Sequence, residues 1–298
     1  MSQSFVLNGQ AISVDQIQPT MTVLEWLRAT GRAGTKEGCA EGDCGSCTIA
    51  LRDESPQGST WRAVCSCIIL MPQVFGREIV TVEGLATDSD LHPAQSAMVK
   101  ALGSQCGYCT PGFVMSLFEA TYREDLDTPW KKDDQICGNL CRCTGYRPIR
   151  DALEEVSGCR PNDDFLTALA EPVKLSEVDY VFENQRFVRP TEWANLWPCL
   201  DQANARIVNG ATDLGLEVTQ RFARFALLVD VGALPDMRRI QLTADGGWRI
   251  GAASVLSDLE AWAEDHHPAM AKMLRFFASR QIKNRATIGG NLCNASPI

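Results

Sequence analysis

No stretch of this sequence is long and apolar enough to cross a membrane. The first residues lack the basic region and the apolar run of a signal peptide, so we expect a cytoplasmic protein. Basic residues are scarce, because 28 lysines and arginines face 37 aspartates and glutamates and the net charge is -9. This acidic balance excludes the basic face that a nucleic acid or an anionic membrane surface would need. Internal repeats and low-complexity tracts are also absent from the sequence.

Cysteine is abundant by contrast, with thirteen in 298 residues and ten of them between Cys39 and Cys143. The length exceeds one typical domain, so we expect two or three domains with separate cores. Cysteines in a reducing compartment rarely form a disulfide framework. Metal binding is therefore the better interpretation of the cysteine-rich stretch.

Two tight thiol pairs, Cys106-x2-Cys109 and Cys141-x-Cys143, form the most specific pattern. Four such thiolates can enclose one zinc ion or one two-iron, two-sulfide cluster, and their spacing does not choose between the two. Cys137 precedes Cys141 by four residues and is a rival ligand by spacing.

An upstream group of thiols, Cys39-x4-Cys44-x2-Cys47, has the spacing of plant-type ferredoxins, which is uncommon for zinc. It favours iron-sulfur clusters at both sites. Glycines between these thiols let the backbone turn its N-H groups toward anionic sulfur. A hairpin is expected to supply the fourth ligand, and Cys65 and Cys67 both qualify because residues two apart on a strand face the same side.

The first part of the chain has the pattern of a β-grasp domain. Residues 4–14 alternate around Asn8-Gly9, which favours a tight hairpin. Thr22-Val-Leu-Glu25 has the form of a capping box and predicts a short helix after the two strands.

Helical spacing follows, and it places helices after Pro93, through 111–122 and after Pro148. We expect a small all-α domain of four helices here. Residues 157–179 lack periodicity and predict a connector.

Two glycine-containing turns mark the last part of the chain, 209–215 after a predicted strand and 287–291. Backbone amides freed by Gly210 and a threonine hydroxyl are suited to a pyrophosphate. Such turns also connect strands and helices in many proteins, so one turn by itself does not identify a ligand.

The motifs Gln105-Cys-Gly-Tyr-Cys-Thr-Pro-Gly112 and Gly138-Asn-Leu-Cys-Arg-Cys-Thr-Gly-Tyr-Arg-Pro148 closely resemble the second iron-sulfur domain of the molybdenum hydroxylase family. The whole chain is similar to the small subunits of bacterial xanthine dehydrogenases. The resemblance selects Cys67 over Cys65, since the family has Ala-Val-x-Ser-Cys at this point, and it selects Cys141 and Cys143 over Cys137. The implied ligands of two [2Fe-2S] clusters are Cys39, Cys44, Cys47, Cys67, Cys106, Cys109, Cys141 and Cys143.

The resemblance also implies an FAD site. The residues expected to contact FAD are Ile207, Val208, Asn209, Gly210, Ala211, Thr212, Asp213, Leu214, Phe277, Thr287, Ile288, Gly289, Gly290 and Asn291. Phe277 corresponds to an aromatic near the flavin, although core packing beside Phe276 is the alternative. Gln105 corresponds to a residue that faces the partner's molybdenum cofactor, although an ordinary exposed amide is the alternative. The family continues beyond the equivalent of Ile298, so we expect weak or substoichiometric FAD binding by this chain alone.

The implied fold class is multidomain α+β. We expect a plant-type, β-grasp [2Fe-2S] domain over 1–86, a helical [2Fe-2S] domain over 87–157, a linker over 158–180 and the N-terminal part of a PCMH-type FAD-binding domain over 181–298.

The implied function is electron transfer in an oxidoreductase. Electrons from hypoxanthine or xanthine oxidation on a molybdopterin-binding large subunit would pass through both clusters to FAD and NAD, in a heterotetramer or larger assembly. No residue of this chain is expected to act as a substrate acid or base. The alternatives are a subunit of an aldehyde or other heterocycle hydroxylase, and a zinc-binding module without electron transfer.

Overall fold

The computed structural model describes residues 3–56, 58–86 and 90–296. The strands are β1 (Gln3–Leu7), β2 (Gln10–Val14), β3 (Thr48–Ser55), β4 (Gly58–Cys65), β5 (Glu78–Val80), β6 (Val178–Phe182), β7 (Gln185–Arg189), β8 (Ala205–Val208), β9 (Leu227–Asp230), β10 (Ile240–Leu242) and β11 (Trp248–Ile250). The helices are α1 (Val23–Ala29), α2 (Pro93–Lys100), α3 (Thr110–Tyr122), α4 (Pro129–Ile136), α5 (Arg147–Val156), α6 (Asp164–Ala168), α7 (Trp193–Leu200), α8 (Leu214–Arg221), α9 (Leu256–His266), α10 (Pro268–Leu274), α11 (Arg280–Lys283) and α12 (Ile288–Cys293). Within the described ranges, no helix is long and apolar enough to span a membrane. The predicted domain start at residue 87 and the final residues Pro297 and Ile298 lie outside these ranges.

The first part of the chain forms a ferredoxin-like unit, which we define as β1–β5 and α1. Its sheet has the order β2-β1-β5-β3-β4, with β1 and β5 parallel and the other pairs antiparallel. The predicted hairpin is confirmed, since Asn8 and Gly9 connect β1 to β2 with φ of 51° and 77°. The predicted capping box is also confirmed: Thr22 accepts from the N-H of Glu25, whose carboxylate accepts from the N-H of Thr22.

The next part forms a helical unit, α2–α5, around an apolar core. Fully buried Phe113 and Phe118 lie on α3, and Ile149 and Leu153 lie on α5. The unit packs against β3 and β4 of the ferredoxin-like unit, where Trp61 contacts Phe118 edge to face. The core of the helical unit therefore extends to Ala50, Trp61 and Val80 of the ferredoxin-like unit.

The stretch predicted as a linker over 158–180 is more structured than its composition indicates. It contains α6, and β6 begins before residue 181. Phe165 packs against Phe118 and Trp61, and its carbonyl accepts a hydrogen bond from the Trp61 indole over 3.0 Å. A single anchoring aromatic leaves no periodic pattern in the sequence, which is why this docking was not predicted. The exact domain boundaries stay predictions.

The remaining part, β6–β11 and α7–α12, contains the segments expected to contact FAD, and we call it the flavin unit. Its main sheet has the order β6-β7-β9-β8, in which β7, β9 and β8 run parallel and β6 pairs antiparallel with β7. Strands β10 and β11 form a separate hairpin. The α+β fold class predicted from the sequence is confirmed.

A buried charge cluster joins the flavin and ferredoxin-like units. Asp53 of β3 lies 2.7 Å from both Arg77 and Arg238, and Arg62 lies 3.8 Å away. Burial acts to raise the pKa of Asp53, but Arg238 and Arg77 hold it well below its usual range. The carboxylate is therefore charged and neutralised at the contact between the units.

Both ring nitrogens of buried His92 form hydrogen bonds. Its Nδ1 accepts from the N-H of Ala94, and its Nε2 therefore carries the proton donated to the Tyr122 hydroxyl over 2.8 Å. That hydroxyl donates to Asp163 over 2.6 Å. Burial lowers the pKa of His92 to about 4, although the Asp163 carboxylate acts in the other direction.

Because the folded pKa lies below the ordinary value of 6.5, the unfolded chain takes up the proton first. We expect unfolding free energy to be greatest above pH 6.5 and to fall by about 3 kcal/mol as the pH drops toward 4. Urea unfolding at several pH values tests this, with His92→Gln as the control that removes the titrating group. A parallel loss of stability in both proteins would show that other groups cause the effect.

Candidate metal centres and flavin site

The first thiol group lies in the loop between α1 and β3. Cys39 and Cys44 are partly buried, and Cys47 is buried directly before β3. The N-H of Cys44 donates to the Cys39 sulfur over 3.3 Å. Burial raises the pKa of the Cys39 thiol, while this and other N-H groups of the loop oppose the rise. A Cβ atom at Gly38 would lie 2.6 Å from the Cys44 sulfur, so glycine leaves room for the thiol. The loop thus directs backbone donors at a sulfur, which stabilises a thiolate.

Cys65 and Cys67 are both buried beside Cys47, but their hydrogen bonds differ. The expectation that both lie on one strand is wrong, because β4 ends at Cys65 and Cys67 lies in the following turn. The Cys65 thiol donates to the Gly42 carbonyl over 3.6 Å. The hydrogen bond to Cys47 and burial raise the pKa of the Cys67 thiol, and a hydrogen bond from the N-H of Gly42 to its sulfur opposes the rise. The N-H of Gly42 is therefore the contact that distinguishes Cys67 from Cys65, and the choice of Cys67 as the ligand stays a prediction.

The second thiol group lies at the surface of the helical unit. Cys109 directly precedes α3, and Cys141 and Cys143 lie in the loop before α5. Cys106 and Cys143 are exposed, whereas Cys141 is buried. Burial opposes ionisation of Cys141, but hydrogen bonds from Thr144 and from the N-H of Cys143 lower its pKa on balance. The Thr144 hydroxyl lies 3.1 Å from that sulfur.

The rival ligand Cys137 does not join this group. Its thiol donates to the Asp134 carbonyl over 3.2 Å. Burial raises the pKa of Cys137, and the Asp134 carboxylate raises it further. Cys137 is thus bonded to its own helix, and the choice of Cys141 and Cys143 as ligands stays a prediction.

Thiols interact in pairs at both groups. Cys39 pairs with Cys44, Cys106 with Cys143 and Cys109 with Cys141, whereas Cys47 interacts with both Cys65 and Cys67. In the part of the chain that the structure describes, no three histidine, cysteine, aspartate or glutamate side chains converge to hold a single metal ion. Structural zinc needs four ligands around one centre, whereas a [2Fe-2S] cluster places thiolates on two irons. The pairs Cys39 with Cys44, Cys106 with Cys143 and Cys109 with Cys141 suit the two irons of such a cluster.

The loops that carry the two thiol groups touch directly. The N-H of Leu140, next to Cys141, donates to the Cys44 carbonyl over 3.0 Å. The Asn139 side chain donates to the Gly45 carbonyl, also over 3.0 Å. Gly45 has a φ of 68°, and a Cβ atom there would lie 2.2 Å from a backbone carbonyl oxygen of the second loop. Glycine at this position therefore permits the short separation of the two groups.

The structure also brings together the two segments predicted to contact FAD. The loop 209–213 follows β8 at the carboxyl end of the parallel strands, which is a common place for phosphates. Arg285 lies just before the second segment and donates to the Asn209 carbonyl over 2.7 Å. Asn294, just after it, donates to Asp213 over 3.0 Å.

The first segment has the free amides that an anion needs. Within the described residues, the backbone N-H groups of 210–214 meet no acceptor. Ala211 has a φ of 64°, in the left-handed region, and turns of this kind direct successive N-H groups to one side. The loop also precedes α8, whose N-terminus favours negative charge. This chemistry fits the pyrophosphate of FAD.

The second segment uses its amides internally. Ile288 and Gly289 donate to backbone carbonyls of residues 254 and 252 over 3.0 and 2.8 Å. Gly290 donates to the Thr287 hydroxyl, which caps α12. The free amides therefore belong to the first segment, and Arg285 and Asn294, which flank the second segment, donate hydrogen bonds to the first. The contacts of both segments with FAD stay predictions.

Three family models match the chain. They are the 2Fe-2S iron-sulfur cluster binding domain over 5–71, the [2Fe-2S] binding domain over 81–154 and the FAD binding domain in molybdopterin dehydrogenase over 181–298. The chain belongs to the molybdenum hydroxylase family. Two [2Fe-2S] domains and an FAD-binding domain of this family are present, which confirms the predicted cofactors of the chain.

The curated relatives of the chain are larger proteins, whereas the matching chain of one solved structure is shorter. Xanthine dehydrogenase of Emericella nidulans is 31% identical over 99% of this chain and 26% of its own length. Xanthine dehydrogenase 1 of Arabidopsis thaliana is 30% identical over 93% of this chain and 26% of its own length. The solved structure of quinoline 2-oxidoreductase from Pseudomonas putida 86 is 33% identical over 57% of this chain and 96% of that chain, with a TM-score of 0.44. The chain thus spans about a quarter of the length of the curated relatives it matches.

Two further residues were assigned from the resemblance to molybdenum hydroxylases. Phe277 is half-buried against an apolar cluster that includes Leu256 and Leu274, while Phe276 is 81% exposed. This placement agrees with core packing, and a flavin contact of Phe277 stays a prediction. Gln105 is exposed beside Cys106, and its contact with a partner's cofactor also stays a prediction.

Sequence reasoning missed the polar residues that hold the loops of this molybdenum hydroxylase chain. Gln281 donates to Asn139 over 2.7 Å and to Ser116 over 3.0 Å, and so connects the flavin unit to the second thiol loop. Gln73 and Arg285 each donate a hydrogen bond to the Asn209 carbonyl. The only signal in the sequence is a dense polar run from 280 to 285 beside apolar neighbours, and it is too short to show periodicity.

Proposed function

We propose that this chain is the iron-sulfur and flavin electron-transfer part of a xanthine dehydrogenase. In this proposal a purine, hypoxanthine or xanthine, is oxidised on a molybdopterin-binding partner, and NAD is the final acceptor. The names of the curated relatives described above support the choice of xanthine dehydrogenase. No constellation in this chain is proposed to activate the substrate.

The proposed ligand sets follow the thiol groups. Cys106, Cys109, Cys141 and Cys143 hold the cluster that receives electrons from the partner. Cys39, Cys44, Cys47 and Cys67 hold the cluster that passes them toward FAD. When bound, the clusters carry single electrons and FAD converts between one- and two-electron steps.

One observation carries the proposed order: the first thiol group, together with the turn that holds Cys67, touches both other sites. On one side its Cys44 carbonyl accepts from Leu140 of the second thiol loop. On the other side Ile68, which follows Cys67, packs against Gly215 at the start of α8, where a Cβ atom would lie 2.6 Å from the Ile68 carbonyl oxygen. The first thiol group therefore lies between the second thiol loop and the phosphate loop 209–213.

The surroundings of the second thiol group support its place at the partner. Its exposed thiols are accompanied by exposed apolar side chains, Leu102, Tyr108 and Leu140. Apolar surface around a redox site is suited to contact with another subunit, which would exclude water from it. The first thiol group, in contrast, is largely covered by this chain itself.

The remaining parts of the proposal concern assembly and location. The chain would act with a molybdopterin-binding large subunit in a heterotetramer or larger complex. A reducing cytoplasm suits the described cysteines, which are all free thiols.

Metal analysis tests the electron-transfer proposal. Anaerobically purified chain is expected to contain about four irons and about four acid-labile sulfides, as two [2Fe-2S] clusters require. After reduction, electron paramagnetic resonance should show two distinct signals. A colourless protein with stoichiometric zinc and no labile sulfide would contradict the proposal and support a zinc-binding module.

A further inference from the structure

The carbonyl of Asn209 is held by two buried side chains from different parts of the fold. Gln73 donates to it over 2.5 Å and Arg285 over 2.7 Å. Gln73 is 2% exposed and Arg285 is 5% exposed, so bulk water does not compete with either donor for the carbonyl. A backbone carbonyl at the start of a phosphate loop thus accepts two solvent-shielded hydrogen bonds.

Each donor is itself fixed. The Gln73 side-chain oxygen accepts from the N-H of Leu70 over 3.1 Å, which orients its NH2 group toward Asn209. Arg189 of the flavin unit donates to the Gln73 carbonyl over 3.0 Å and so anchors the backbone that carries it. Arg285 is fully enclosed, and its Nε has no partner among the described residues. The hydrogen bond to the Asn209 carbonyl is therefore the main polar contact of the Arg285 side chain.

The geometry of a trans peptide determines where the next N-H points. The carbonyl of Asn209 and the N-H of Gly210 belong to one planar peptide and point in opposite directions. A carbonyl drawn into the protein by Gln73 and Arg285 therefore turns the Gly210 N-H outward. A Cβ atom at Gly210 would lie 2.2 Å from the Arg285 carbonyl oxygen, so the close approach of these two segments requires glycine.

We propose that Gln73 and Arg285 are positioning residues for the pyrophosphate of FAD, because they hold the Asn209–Gly210 peptide with its N-H directed at the phosphate. The inference rests on the FAD-binding role of the loop described above. It adds that the ferredoxin-like unit, through Gln73, contributes to FAD affinity although it does not contact the cofactor through this residue. The charge of Arg285 also lies behind the loop and favours an anion there.

FAD titration of the deflavinated full chain tests the proposal. Gln73→Glu keeps the acceptor for Leu70 and replaces the donor to Asn209 by a carboxylate oxygen, and Arg285→Met keeps length and removes the guanidinium. Each variant is expected to bind FAD about ten-fold more weakly, as loss of one oriented N-H to a charged group predicts. Riboflavin, which lacks the pyrophosphate, should bind the variants and the unsubstituted chain alike.

Two matched controls separate this effect from general damage. Gln220→Glu alters another glutamine that donates to a carbonyl of the ferredoxin-like unit, that of Ala40 over 3.3 Å. Arg206→Met removes an exposed arginine from β8, the strand before the loop. Both controls should retain FAD affinity. Unchanged FAD affinity in Gln73→Glu and Arg285→Met, or equal weakening of FAD and riboflavin, would overturn the proposal.

Amide hydrogen exchange provides a test that needs no variant. In the ligand-free chain the Gly210 N-H should exchange rapidly, and FAD should protect it. Strong protection of this amide before FAD is added would overturn the inferred orientation. Failure of the unsubstituted chain to bind FAD, with rapid exchange at Gly210, would instead count against the flavin role of the loop and against the role of the two residues in it.

Discussion

Cys67→Ala is expected to eliminate one of the two [2Fe-2S] signals, while Cys65→Ala should leave both in place. The Cys67 sulfur accepts the N-H of Gly42, and Cys65 donates to the carbonyl of the same residue. An iron ligand must be a thiolate, which accepts hydrogen bonds and has no proton to donate. Iron content and electron paramagnetic resonance after reduction measure the outcome, with loss of about half of the iron expected for Cys67→Ala.

Cys65→Ala serves as the matched control because the two thiols are equally buried and both lie beside Cys47. It removes a similar volume and a weak hydrogen bond, so any general loss of packing should affect both variants. Loss of a signal in Cys65→Ala with both signals retained in Cys67→Ala would show that the ligand assignment is reversed.

Local patterns were sufficient to predict the elements that depend on neighbouring residues. The Asn8-Gly9 hairpin and the Thr22 capping box form as predicted because positive φ and helix capping are decided within four residues of sequence. Thiol spacing likewise placed the loops of both candidate clusters, since a metal-binding loop is also a local structure. The fold class was implied by the family resemblance, and these elements agree with it.

Long-range contacts could not be predicted in the same way. The end of β4 at Cys65 depends on pairing with β3, and a two-residue periodicity does not show where that pairing stops. Docking of α6 depends on Phe165, whose partners Trp61 and Phe118 are distant in the chain. The roles of Gln73 and Arg285 depend on a carbonyl far away in the sequence.

Helix α11 makes long-range contacts that no local sequence pattern predicts. It has four residues, and yet it contacts all three units. Arg280 pairs with Glu119 of the helical unit, and Ile282 packs against the apolar cluster that contains Cys47 and Cys67. Lys283 is fully buried, which no periodicity predicts for a lysine. Its burial is explained only by the carboxylates that other helices bring to it.

Lys283→Met is expected to destabilise the chain by about 3–5 kcal/mol, as removal of one partner from a buried ion group does. The Lys283 Nζ lies 2.6 Å from Asp134 of α4 and 2.8 Å from Glu260 of α9. Without the cation, two buried carboxylates remain beside each other. Because these residues join the helical and flavin units, the variant should unfold in two separate transitions in urea, followed by circular dichroism and by flavin or cluster absorbance.

The pH dependence of the stability of Lys283→Met shows whether Lys283 contributes by its charge or by packing. Burial already raises the pKa of Glu260 above its usual value although Lys283 opposes the rise, so removal of the cation should raise it further. A folded-state pKa above the unfolded one means that the folded protein binds the proton first, and the deficit of Lys283→Met should therefore shrink as the pH falls toward 5. The added substitution Glu260→Gln should restore stability at neutral pH, and the exposed control Lys100→Met should cost less than about 1 kcal/mol. A deficit that is independent of pH and unaffected by Glu260→Gln would show that Lys283 contributes by packing, and that charge compensation does not hold α4 against α9 and α11.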